Sequence, residues 1–226
     1  MTEKNIIVAL DDPHDYKGVL SALNPHKCIV KVGSVIFNYH GRKLLDEVAN
    51  HGFEIFFDIK FHDIPNTVSK SIETFKGYPI KLLTIHLSGG RSMIMAALES
   101  THSINAKCIG VSILTSLIEE ESKEVYSNEI SKTVFSMFNL ASETNIDGIV
   151  CSPHELKLAG DCLQDKIKIT PGIRLPDSDS DDQSRVMSPK EAIDLGATYL
   201  VIGRPITSHK DKESAFEKIY QSINEE

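Results

Sequence analysis

No stretch of this 226-residue chain approaches the run of about 20 apolar residues that a membrane-spanning helix needs. The N-terminal MTEKNIIVALDD enters a short apolar run at once, without the longer apolar stretch and small-residue cleavage site of a secretory leader. A cytoplasmic protein is expected. Basic charge is also short: 24 Lys and Arg against 32 Asp and Glu leave a net charge of −8. A general nucleic-acid binder needs a basic face, so that class is excluded. An anionic small molecule is not, because a pocket's local field can oppose the global charge. Cys28, Cys108, Cys151 and Cys162 never pair as CxxC, and buried free thiols are expected. The patterns GxGxxG, GxxxxGK[ST] and HExxH are missing, so no organic cofactor or metal is expected. With no linker and no low-complexity tract, residues 1–226 read as one domain, which at this size buries roughly 70% of its unfolded surface.

What the chain does contain is a series of eight short β-rich runs: IIVAL (6–10), CIVKVG (28–33), EIFFDIK (54–60), KLLTIHL (81–87), CIGVSIL (108–114), GIVCS (148–152), KIKITPGI (167–173) and YLVIG (199–203). Their spacing leaves room for one helix between successive strands. GRKLLDEVANHG and ISKTVFSMFNLASETN carry apolar residues at helical intervals, and SPKEAIDLG pairs a Ser-Pro start with a glycine stop. LIEEESKEVYSNEI, in the widest gap, predicts an extra acidic surface helix. Eight β-then-α units predict an α/β fold, a closed (β/α)8 TIM barrel, with an open doubly wound sheet as the alternative.

Chemistry in such a barrel sits at the C-terminal ends of the strands. Those ends read Asp11, Lys31, Asp58 with Lys60, His86, Thr115, Ser152, TPGIR and GRPIT. Asp58 and Lys60 are two apart, so on a regular strand their side chains share a face, and Phe57 and Ile59 take the other. Buried charges persist only when paired. Lys31 and Asp63 would complete an alternating network without net charge. A purely structural ion cluster is the other reading. His86 and His62 read as structural histidines.

The last two strand ends suggest a phosphate site. Gly203 permits close backbone approach and Arg204 supplies a forked donor. Between the two strands lies LPDSDSDDQSR (175–185), long enough to act as a lid. Its aspartates disfavour an anion, which leaves Gln183 as a neutral donor.

The run DIKFHDIPNT (58–67) resembles the DxKxxDIxxT signature of the orotidine 5′-phosphate decarboxylase family. VALDD, VKVG, HLSGG, VSILTS, ITPGIR, DDQSRVMSP and VIGRPIT are similar to its other blocks, in order along the whole chain. Asp181 departs from the family's usual glycine before Asp-Gln. The resemblance implies cofactor-free decarboxylation of orotidine monophosphate to uridine monophosphate in a homodimer with shared active sites. It makes Lys60 the general acid at the pyrimidine C6, with Lys31 and Asp58 in its network and Asp63 reaching in from the partner. Asp11 and Thr67 would contact ribose, Ile64 would line the site beside Thr67, and Thr115 would lie at the pyrimidine edge. Arg174, Gln183, Gly203 and Arg204 would hold the phosphate.

Two alternatives stand beside this. Sugar-phosphate decarboxylases and aldolases of the same suprafamily share the Asp-x-Lys-x-x-Asp run but use Mg²⁺, with an acidic ligand near the place Lys31 occupies. A non-catalytic nucleotide-binding module would keep the pocket without needing Lys60 and Asp58.

Overall fold

The computed structural model of the chain describes residues 4–173 and 187–224. Eight strands follow one another in chain order: β1 (Ile6–Leu10), β2 (Cys28–Gly33), β3 (Ile55–Phe61), β4 (Ile80–His86), β5 (Lys107–Val111), β6 (Gly148–Val150), β7 (Ile167–Pro171) and β8 (Tyr199–Ile202). Each pairs in parallel with the next, and β8 returns to β1 with Ile6 opposite Leu200, closing the barrel. The open-sheet alternative is thereby removed.

The apolar runs are continuous because both faces of every strand are covered, one by the barrel interior and one by helices. Ile7, Ile29, Phe56, Leu82, Ile109 and Ile169 fill the interior. Their neighbours along the strands, such as Val8, Val30, Phe57 and Leu83, pack outward in the larger cluster. Phe57 meets Phe37 and Phe75 there, at ring-centroid distances of 4.9 and 4.7 Å. A fully buried side chain of this kind stabilises the fold by roughly 1.5–3 kcal/mol.

The helices form where the periodicity places them. Arg42–Asn50, Ile130–Glu143 and Pro189–Asp194 follow β2, β5 and β7 in the chain, each behind other segments, and the acidic stretch forms Glu119–Tyr126. Ser188 caps its helix reciprocally: its Oγ accepts the Glu191 N–H, and its own N–H reaches the Glu191 carboxylate. Cys28, Cys108 and Cys151 are buried free thiols whose pKa burial pushes up to about 12, whereas Cys162, also free, is only partly buried. No described helix is long and apolar enough to cross a membrane.

Several strands stop short of their apolar runs. β5 ends at Val111 and β6 at Val150, so Thr115 and Ser152 stand in the loops beyond them rather than on the strands.

Candidate active site

The C-terminal strand ends enclose a cavity of about 390 Å³. Asp11, Lys31, Asp58, Lys60, Thr115, Gly203 and Arg204 all line it, and Phe56, Val150, Ile169 and Val201 give it an apolar floor. Pockets for small ligands run from about 300 to 1,000 Å³, and a few polar groups over apolar walls are their usual make-up.

The charges in this cavity are tightly paired. Lys60 Nζ lies 2.9 Å from Asp58 Oδ1. Lys31 Nζ lies 3.0 Å from Asp11 Oδ1 and 3.9 Å from Asp58 Oδ2. The Lys31 and Asp58 side chains are each only 13% exposed, so each depends on the other charges for its solvation. Two glycines make this packing possible. A Cβ on Gly33 would stand 3.1 Å from Lys31 Nζ, and one on Gly203 would stand 3.4 Å from Asp11 Oδ2.

The strand that carries Asp58 and Lys60 is not regular, which corrects the simple alternation expected from sequence. Phe57 pairs with Leu83 and Phe61 with Ile85, so Asp58, Ile59 and Lys60 together face Thr84. This is a β-bulge. Lys60 adopts a φ of 52°, in the left-handed region that a non-glycine residue seldom enters. Its N–H is accepted by Thr84 Oγ1 at 2.9 Å, and the Thr84 hydroxyl donates to Asp58 Oδ1 at 3.1 Å. The two charges converge as expected, but through a bulge.

Asp63 does not join this network within its own chain. It is exposed, and its Oδ1 accepts the N–H of Ile64 at 2.6 Å. Ile64 and Thr67 are exposed as well, around the start of the helix Pro65–Glu73. The second acid of this network is Asp11 instead. Beside the main cavity a smaller one of about 160 Å³ shares Asp11, Lys31, Asp58 and Lys60 and is walled by Gly33, Ser34, Val35 and Ile36. Arg174, Gln183 and Asp181 lie outside the described residues, as does the whole 175–185 stretch.

His86, at the end of β4, lies with its ring 5.3 Å from that of His62. Burial pushes its pKa down, and the nearby His62 and Lys60 act in the same direction, against a smaller opposing effect of Asp58. Among the described residues no group of three or more His, Cys, Asp or Glu side chains could hold a metal ion.

Chemically, the arrangement presents a fixed ammonium over an apolar floor, with its counter-charge held by a second ammonium. Such a group can stabilise a carbanion and then protonate it. Thr84 was not among the residues expected from sequence. A threonine inside an apolar strand carries no sign that its hydroxyl is aimed at a charged pair.

Residues 4–219 match the orotidine 5′-phosphate decarboxylase / HUMPS family. A relative from Laribacter hongkongensis named orotidine 5′-phosphate decarboxylase is 42% identical over 211 residues, covering 91% of this chain and 87% of its own length. One of the same name from Ehrlichia chaffeensis is 42% identical over 226 residues, covering 97% of each. The crystal structure of orotidine 5′-phosphate decarboxylase from Lactobacillus acidophilus superposes with a TM-score of 0.86 at 32% identity, over 98% of this chain and all of that one. Family match, relatives and barrel agree end to end: the chain belongs to the orotidine 5′-phosphate decarboxylase / HUMPS family.

Proposed function

We propose that this protein decarboxylates orotidine 5′-monophosphate to uridine 5′-monophosphate and CO₂, in pyrimidine synthesis. The observation that carries the reading is the Asp58–Lys60 pair, 2.9 Å apart at the mouth of the barrel. The C6–carboxylate bond breaks, CO₂ leaves, and the electron pair stays on C6. No carbonyl lies in conjugation to accept that pair, so the carbanion is localised. The Lys60 ammonium stabilises it and gives it a proton, then recovers one from solvent. Asp58 lies beside the departing carboxylate. Two such charges about 4 Å apart repel by roughly 4 kcal/mol at an effective dielectric of about 20. Enzymes lower barriers by about 8–23 kcal/mol, so this repulsion alone cannot suffice. Stabilisation of the carbanion by Lys60 and binding of the remote phosphate supply further terms. Gly203 and Arg204 face the phosphate in this reading, with Arg174 and Gln183 completing the grip; Asp11 meets the ribose and Thr115 the pyrimidine edge.

The reading includes a homodimer with shared sites. Val35, Tyr39 and Ile64, on the segments after β2 and β3, are exposed by 68%, 61% and 66%. The smaller cavity beside Lys31 and Lys60 holds those two cations, each already paired with Asp11 or Asp58, and the apolar Val35 and Ile36. That chemistry suits the partner's Asp63 and the partner's Ile64, with the partner's Thr67 near the ribose.

The test is the loss of orotidine monophosphate absorbance on adding purified protein, with uridine monophosphate as product. No turnover at micromolar protein would leave a nucleotide-binding module without catalysis.

A further inference from the structure

One side chain from β4, that of Thr84, bonds the bulge in β3 at two points. Thr84 lies on β4 two residues after Leu82, hence on the strand face that looks into the barrel, and it is completely buried. A buried hydroxyl in an apolar barrel is unfavourable unless it is hydrogen-bonded. Valine would have the same shape and an equal liking for strands. The hydroxyl therefore needs a reason, and its two partners supply one. As an acceptor it takes the Lys60 N–H at 2.9 Å, a donor that an unbroken ladder would direct to a main-chain carbonyl. As a donor it reaches Asp58 Oδ1 at 3.1 Å, the same oxygen that accepts from Lys60 Nζ at 2.9 Å.

We infer that Thr84 is a positioning residue for the decarboxylation proposed above: its hydroxyl fixes the left-handed backbone of Lys60 and the rotamer of Asp58 in one contact, and so sets where the ammonium stands. A lysine at φ 52° has no local preference for that conformation. Without the acceptor on Thr84 the Lys60 amide loses its side-chain bond to β4, and the bulge relaxes toward ordinary strand geometry. The ammonium then shifts relative to C6, which affects the chemical step far more than ground-state binding. A displacement of about 1 Å at a reacting centre can cost about 100-fold in rate.

The test compares Thr84→Val, which keeps the shape and removes the hydroxyl, with Thr84→Ser, which keeps the hydroxyl. Thr84→Val should lower kcat by about 10- to 100-fold while KM stays within about 3-fold. Thr84→Ser should restore kcat to within about 3-fold of the parent. Residue-resolved hydrogen exchange of the Lys60 amide is measured on the same proteins and needs no turnover. The amide should exchange faster in Thr84→Val and as in the parent in Thr84→Ser. Unchanged kcat in Thr84→Val, or equal losses in kcat in both variants, overturns the inference. If the parent turns over no orotidine monophosphate, the functional reading fails, and the exchange data alone decide: an unchanged Lys60 amide in Thr84→Val overturns the role of Thr84, and a deprotected one upholds its hold on the backbone.

Discussion

Lys31 reaches from β2 to within 3.0 Å of Asp11 beyond the end of β1, closer than its 3.9 Å approach to Asp58. Its ammonium thus stands between two carboxylates that would otherwise be natural ligands for a divalent cation. In the Mg²⁺-dependent relatives an acid is expected near that place. A cation already fills it here, and a second positive charge brought close would be repelled.

Turnover of orotidine monophosphate should therefore survive excess EDTA unchanged. Abolition by the chelator with recovery on adding Mg²⁺ would favour the metal-dependent sister chemistry. Parallel assays with a sugar phosphate would then be the next step.

Arg204 opens the short helix Arg204–Thr207 directly after Gly203 and lines the cavity. In the proposed site it grips a phosphate, and charge-assisted bonds of that kind contribute about 1.5–3 kcal/mol. Arg204→Ala should raise KM for the nucleotide by about 10- to 100-fold. Orotidine without its phosphate should be converted equally slowly by both proteins. An unchanged KM would remove Arg204 from the phosphate site.

Asp63 is exposed on its own chain while Lys60 lines the cavity, so the shared-site reading makes them members of different sites. Asp63→Ala and Lys60→Ala proteins should each be nearly inactive. Mixed and allowed to exchange subunits, they form heterodimers in which one site is whole, giving about a quarter of the parent's intact sites. Activity no greater than the sum of the two variants, with exchange verified, would place Asp63 outside its partner's site.

Much of this was legible in the sequence because parallel barrel strands are buried on both faces. They read as unbroken apolar runs such as IIVAL, and the first charge after each run marks the mouth. Asp11, Lys31, Asp58 and Lys60 are legible that way, Gly203 and Arg204 as a phosphate grip after the last strand, and all six meet in one cavity. What depended on register was not legible. Ala9 pairs with Lys31, and this lateral alignment brings Asp11, two residues further on, to the Lys31 ammonium. Nothing local in DIKF marks the bulge either. Left-handed backbone is usually announced by Gly or Asn, whereas here Lys60 is forced into it by a contact from β4. Thr84 was hidden for the complementary reason: a β-branched residue in KLLTIHL looks like ordinary strand filling.

The central claim is that the Lys60 ammonium delivers the proton at C6. The most direct measurement is kcat of Lys60→Ala on orotidine monophosphate, set against its affinity for uridine monophosphate. The account predicts that kcat falls by several orders of magnitude while product affinity stays within about 10-fold of the parent. A kcat within about 10-fold of the parent would contradict it, because another group would then be protonating the carbanion.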